Sequence, residues 1–279
     1  MKWRGQRQSE NVIDRRARGV TPGRAGAGGV GALLVVGFAM YLLGADPQTI
    51  VATLQNELQQ GGASAPMSQP QAAVSKYDND DTKGLVSATL ASLEDHWSDL
   101  FTRNNSSYRP APLVLFRGGT STGCGFGDTA AGPFYCPADH TVYLDLNFMD
   151  ELIKLGGRGD FGLAYVVAHE VGHHVQTLLD PHRMRARKGN KESVATELQA
   201  DCYAGVWAHY ANAQRDFLEP GDIEEGLKTA AAVGDDHIQR TVTGHVRPES
   251  FTHGSSEQRV QAFNVGFRTG RVESCAFGD

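Results

Sequence analysis

Residues Ala164–Asp180 read AYVVAHEVGHHVQTLLD, three histidines and one glutamate inside an otherwise apolar run. The β-branched lead-in AYVVA is that of a core helix, and Asp180 with Pro181 stops it, so a helix is predicted over Phe161–Leu179. Within it His169, Glu170 and His173 form the pattern H-E-x-x-H. Positions i and i+4 of a helix project from nearly one face, so both imidazoles reach a single ion about 2.0 to 2.1 Å from each ligating nitrogen. Glu170 lies about 100° round the helix, beside such an ion, where a carboxylate takes a proton from metal-bound water. His174 points away and is expected to be structural. Gly172 is expected to admit a close neighbour or a substrate channel.

Two histidines do not complete a zinc site. The segment ATELQADCYAG places Glu197 and Asp201 again at i and i+4, on a helix predicted over Glu192–Tyr210. Its apolar neighbours Ala195, Leu198, Ala200 and Cys202 make it too hydrophobic for a solvated acidic face. Glu197 is therefore expected as third ligand, with Asp201 holding a ligand histidine from behind and setting its tautomer. His209, His237, His245 and His253 stay open as alternatives.

The chain has 279 residues and a net charge of -6. Residues 1–24 carry seven Lys and Arg against Glu10 and Asp14, a net of +5 that leaves -11 for the remainder. A folded part so acidic argues against nucleic acid as a partner. The basic segment runs into Ala25–Ala45, which is free of charge and about long enough to cross roughly 30 Å of hydrocarbon. A transmembrane helix is expected there. Arginines before it and Asp46 after it keep residues 1–24 in the cytoplasm as a basic leader and send the rest across the inner (cell) membrane, to a periplasmic or extracellular location. A cleaved signal peptide is the rival reading. Residues 46–80, rich in Gln, Ala, Ser, Gly and Pro, read as a flexible linker to a domain at 81–279.

Four cysteines, Cys124, Cys136, Cys202 and Cys275, fall on the exported side. Cys124 and Cys136 bracket one Gly-rich loop and are the easiest disulfide pair, which leaves Cys202 to Cys275; free buried thiols are the alternative. Leu85 to Leu100 has helical spacing within Gly84–Phe101, PLVLFRGG reads as a short strand, and TVYLDLNF alternates as a half-buried strand. Further helices are expected from Asn147 or Asp150, over Asp222–Thr243, and over Ser256–Thr269 with Ser255 or Ser256 as cap. Mostly helices with a small sheet lying early make the fold class α+β.

The motifs HEVGH, ELQADCYAGVW, VGDDHIQ and THGSSEQRVQAF, with WRGQRQSENVIDRR near the start, resemble the putative neutral zinc metallopeptidase family within the zincin-like fold. The resemblance implies membrane-anchored bacterial proteins, a Zn2+ cofactor bound by His169, His173 and Glu197, and Glu197 in the place of the downstream glutamate ligand. It also implies that the segment around His253 and Arg259 lies over the site, with His253 donating to the oxyanion of the tetrahedral intermediate. Asp235 and Asp236 are expected to anchor the last helices, with Arg259 as a partner. His237 falls where relatives carry a basic residue.

The expected activity is peptide-bond hydrolysis by a zinc metalloendopeptidase acting on a peptide or protein substrate, with Glu170 as general base and the edge of Thr141–Phe148 aligning the peptide. A non-catalytic, zinc-stabilised partner of an envelope complex uses the same ligands, but has no need of Glu170. The sequence specifies no oligomeric state.

Overall fold

Asn79 begins the first long helix: its side chain accepts a hydrogen bond from the Thr82 amide at 2.8 Å, and Asp80 and Asp81 place negative charge in the first turn. Helix α1 therefore spans Asp80–Arg103, starting about a turn before the Gly84 that its apolar spacing predicts and ending just past Phe101. The computed structural model describes residues 1–17, 77–128, 132–181, 189–214 and 217–277. The expected transmembrane stretch and nearly all of the linker lie outside those residues. No described helix is long and apolar enough to cross a membrane.

The strands are β1 (Val12–Asp14), β2 (Leu113–Phe116), β3 (Gly119–Thr122), β4 (Gly125–Asp128), β5 (Phe134–Cys136) and β6 (Thr141–Asp145). One mixed sheet has the order β1-β2-β6-β5; β1, β2 and β6 run parallel, and β5 is antiparallel to β6. A separate hairpin pairs β3 with β4. This corrects the half-buried reading of β6. Val142 and Leu144 enter the main core, whereas Tyr143 joins Val114, Phe116 and Cys136 in a second cluster on the opposite face. Alternation in sequence marks a strand, but here both faces are covered. The strand also lies between β2 and β5, so it has no edge for a peptide; that edge belongs to β5.

The helices that follow are α2 (Phe148–Lys154), α3 (Gly159–Leu179), α4 (Asn190–Gln214), α5 (Asp222–Ala232), α6 (Asp235–Thr243) and α7 (Ser256–Thr269). The single helix expected over Asp222–Thr243 is broken at Gly234, which takes an extended conformation. A Cβ there would meet the Ser256 backbone nitrogen at 2.4 Å, so the start of α7 occupies the space a continuous helix would need. Helix α7 begins with a capping box, Ser255 and Gln258 each bonding the other's backbone. Helix α3 is buried on almost all sides, packed by α1, α4 and α5 and by β5 and β6. Phe161 stacks on Trp207 and Tyr165 meets Phe263 edge-on, so aromatic contacts lock α3 to α4 and α7. The architecture is thus a small mixed sheet against a helical body.

Cys124–Cys136 and Cys202–Cys275 are bonded, the first tying the hairpin to β5 and the second tying the C-terminal segment to α4.

Residues 1–17 do not form a leader apart from the domain. Trp3 is buried, Ser9 is buried, and β1 is a strand of the main sheet.

Candidate metal centre

Helices α3 and α4 cross closely because Gly172 has no side chain. A Cβ at Gly172 would lie 3.0 Å from the Ala200 carbonyl oxygen and 3.1 Å from its Cα, so the glycine serves a neighbour and not a channel. Helices α4 and α7 approach more closely still: a Cβ on Gly205 would fall 2.1 Å from the Phe263 carbonyl, and one on Gly266 1.9 Å from that of Cys202. These two crossings bring the H-E-x-x-H face, the Glu197–Asp201 face and Arg259 together.

His169 Nε2 lies 3.1 Å from a Glu197 carboxylate oxygen, and His173 Nε2 lies 3.5 Å from the same oxygen. Two ligands held tetrahedrally about 2.0 to 2.1 Å from one ion stand about 3.3 Å apart. The ligand atoms of His169, His173 and Glu197 all lie within 4.8 Å of one another, and among the described residues they form the one such group of three or more His, Cys, Asp or Glu. The donor set fits zinc.

The other ring nitrogen of each histidine is engaged from behind. His169 Nδ1 donates to Asp201 at 2.7 Å, as the sequence predicts. Asp201, fully buried, also accepts from the Tyr165 hydroxyl at 2.5 Å and from Arg259 through Nε and Nη2 at 2.8 and 2.9 Å. His173 Nδ1 lies 2.9 Å from the Gln176 side-chain oxygen. The orientation of that amide is settled by its amino group, which donates to the Thr196 carbonyl at 2.7 Å and to the Gln199 oxygen at 3.0 Å. Gln199 in turn donates to the Cys275 carbonyl at 3.0 Å. A carbonyl only accepts, so the whole row has one direction and the proton of His173 sits on Nδ1. Both Nε2 atoms thereby face Glu197.

The electrostatics favour positive charge between these groups. Burial works to lower the His169 pKa, but the Asp201 and Glu197 carboxylates outweigh it and push it up to about 10. Burial works to raise Glu197, but His173 and His169 hold it well below the usual carboxylate range. Burial likewise opposes ionisation of Asp201, which Arg259 and His169 nevertheless hold at about 2. Glu170 is 8% exposed, and burial raises its pKa against the pull of His169 and His173.

His253 sits apart, with its side chain about half exposed. Asp235 accepts from its ring at 3.2 Å and from the backbone amides of Thr252, His253 and Gly254. The adjoining Gly254 packs on Val194 and Leu198 of α4, one nearly a turn before Glu197 and the other next to it. Glu197 is close enough to favour the charged form of His253, whose pKa is raised chiefly by the Asp235 hydrogen bond.

Of the remaining histidines, His174 donates to the Arg109 carbonyl at 2.6 Å and accepts from the Tyr135 hydroxyl, which makes it structural as expected. His209 and His237 bind the carbonyls of Phe267 and Leu155, and His245 is exposed, so none of them joins the site. Arg259 does not pair with Asp235 or Asp236: it turns inward to Asp201, while Asp236 receives Ser256 at the start of α7. Asp235 and Asp236 still anchor that loop. Gln176 and Gln199 were missed from sequence. The available signal was Gln176 three residues after His173, a spacing at which helical side chains meet.

A family model described as putative neutral zinc metallopeptidase matches residues 1–277. The chain is 43% identical over 293 aligned positions to the uncharacterized protein YpfJ of Escherichia coli strain K12, covering 99% of this chain and 98% of that one. It is 45% identical over 205 positions to the uncharacterized protein Rv2575 of Mycobacterium tuberculosis strain H37Rv, covering 68% of each. No solved structure matches.

Proposed function

Since the chain belongs to the putative neutral zinc metallopeptidase family, we propose that it is a zinc-dependent endopeptidase of zincin-like fold, tethered to a membrane through residues 25–45 and acting on peptides or proteins. The observation that carries this reading is the placing of a buried, unligated carboxylate, Glu170, between two histidines whose Nε2 atoms both face Glu197. A site that only stabilises the fold needs the three ligands and has no use for Glu170.

His169, His173 and Glu197 would hold the ion. Zinc, when bound, supplies a Lewis acid that polarises the scissile carbonyl and acidifies water. Glu170, whose pKa is raised by burial, takes the proton of the attacking water and passes it to the leaving amine. His253, oriented by Asp235, donates a hydrogen bond to the carbonyl oxygen as negative charge gathers there. The antiparallel edge strand β5 packs beside α3, and its outer edge aligns an extended peptide.

The test is metal analysis of the purified protein beside a peptide-library cleavage assay. Wild type is expected to hold one zinc per chain and to cleave; Glu170→Gln is expected to keep the zinc and lose cleavage. Equal turnover by Glu170→Gln would remove Glu170 from the mechanism. Zinc bound without cleavage in the wild type would favour the non-catalytic envelope partner.

A further inference from the structure

Residues 1–17 are basic, the kind of segment that the positive-inside rule retains in the cytoplasm, yet they are built into the domain that follows the apolar stretch. Trp3 is 7% exposed and covers Gly84 of α1, where a Cβ would lie 2.9 Å from its ring. Its indole nitrogen donates to Asp160 at the start of α3, at 3.0 Å. Glu94, a buried carboxylate of α1, draws its partners from this segment: Ser9 Oγ at 2.6 Å, Asn11 Nδ2 at 2.7 Å and Arg7 at 3.3 Å. Val12, Ile13 and Asp14 then pair in parallel with Leu113, Val114 and Leu115. The basic residues meet acids of α1, Arg4 with Asp81 and Arg7 with Asp95.

The two ends of the interval 18–76 are also joined. Arg16 donates to Asp78 at 2.9 Å, to the Asn79 carbonyl at 3.2 Å and to Asp80 at 3.1 Å. Asp78, with a fully buried side chain, receives Arg117 as well. The chain leaves the domain at Arg16 and returns within reach of that same side chain.

A single crossing between residues 17 and 77 would put roughly 30 Å of hydrocarbon between groups that share a β-ladder and a buried carboxylate. We infer that residues 1–17 and 77–277 occupy the same side of the membrane, against the cytoplasmic leader expected from the sequence. Cleaving the leader does not escape this constraint, nor does exchanging it with a second copy, because a leader left in the cytoplasm by any route cannot reach a domain outside. The disulfides choose the side. All four cysteines are paired, and such bonds persist in oxidising compartments, so the leader is exported with the domain. Arg4, Arg7 and Arg16 serve as counter-ions for α1 and not as a retention signal. None of this depends on the peptidase reading.

With no free cysteine in the native chain, an introduced one reports its own compartment. Gln8 and Glu10 are exposed in the leader, and Lys228 is exposed on α5. Spheroplasts expressing the full chain as Gln8→Cys, Glu10→Cys or Lys228→Cys are treated with a membrane-impermeant maleimide before and after lysis. All three variants are expected to label equally without lysis, and the two leader positions guard against one that fails to accumulate. Leader cysteines that label only after lysis, while Lys228→Cys labels before it, would overturn the shared compartment. Labelling of all three only after lysis would keep the leader with the domain and overturn its export.

Discussion

The side-chain oxygen of Gln176 lies 2.9 Å from Nδ1 of His173, while the amino group of the same amide is held by the Thr196 carbonyl at 2.7 Å. Gln176 thus decides which nitrogen of His173 faces Glu197. Gln176→Leu is expected to lower zinc affinity about 10- to 100-fold, read by competition with a chromophoric chelator. Because the row ends on the carbonyl of Cys275, reducing the Cys202–Cys275 bond should lower affinity in the same direction. A leucine variant with wild-type affinity would leave Gln176 without a positioning role.

Arg259 neutralises Asp201 inside the core, where both side chains are buried. Removing one member of such a pair leaves the other charged and unpaired. Arg259→Ala is expected to cost about 3 to 5 kcal/mol in denaturant unfolding. Arg259→Lys should recover only part of it, since an ammonium cannot reproduce the two-pronged contact. A loss under about 1 kcal/mol would mean that water reaches Asp201 in solution.

The Asp235 hydrogen bond raises the pKa of His253, so the charged imidazole persists to higher pH than the ordinary histidine value of about 6.5. If His253 acts as a donor, kcat falls on the alkaline side of that value, and Asp235→Asn moves this limb to lower pH. His253→Gln should reduce kcat by about 10²- to 10³-fold with KM little changed. The stability term has the matching sign. It is present below the unfolded pKa and disappears as pH rises through the folded one, so Asp235→Asn flattens melting temperature against pH there. An unshifted limb in Asp235→Asn would detach the pair from turnover.

His96 is buried between Trp97 and Tyr210, and its Nε2 has no hydrogen-bond partner among the described residues. Burial pushes its pKa down to about 4 from the ordinary histidine value of about 6.5. A depressed pKa keeps its stabilisation above the unfolded value and loses it as pH falls, here at about 1.4 kcal/mol per unit between roughly 6.5 and 4. His96→Phe is expected to melt no lower than wild type at pH 7.5 and to lose less between pH 7 and 5, followed by calorimetry. Parallel curves for the two proteins would show that His96 titrates normally.

The helix carrying His169 and His173 was legible because its apolar period, its two histidines on one face and its Asp180 stop are all local. Ser256–Thr269 was legible for the same reason, since a capping box lies within four residues. Glu197 and Asp201 could be read as one face of a helix from their spacing. Which acid did what was a proposal about two helices meeting, and Gly172 against Ala200 is what lets them meet.

Less legible was whatever depends on a neighbour distant in sequence. Alternation in TVYLDLNF identified a strand but not its place inside the sheet, because alternation looks the same whether the second face meets water or Val114 and Phe116. The break at Gly234 is imposed by Ser256, and the inward turn of Arg259 by Asp201. Basic residues 1–17 read as a cytoplasmic leader because charge beside an apolar stretch is a local signal, whereas their partners Asp78, Asp81, Glu94 and Asp95 lie more than sixty residues away. By itself the sequence determined most of the helices and the residue types on the faces of α3 and α4, all of which follow from backbone periodicity within a few residues. Only the tertiary structure decided which side chains share a buried site, because desolvated charges and close helix crossings depend on segments that nothing local brings together.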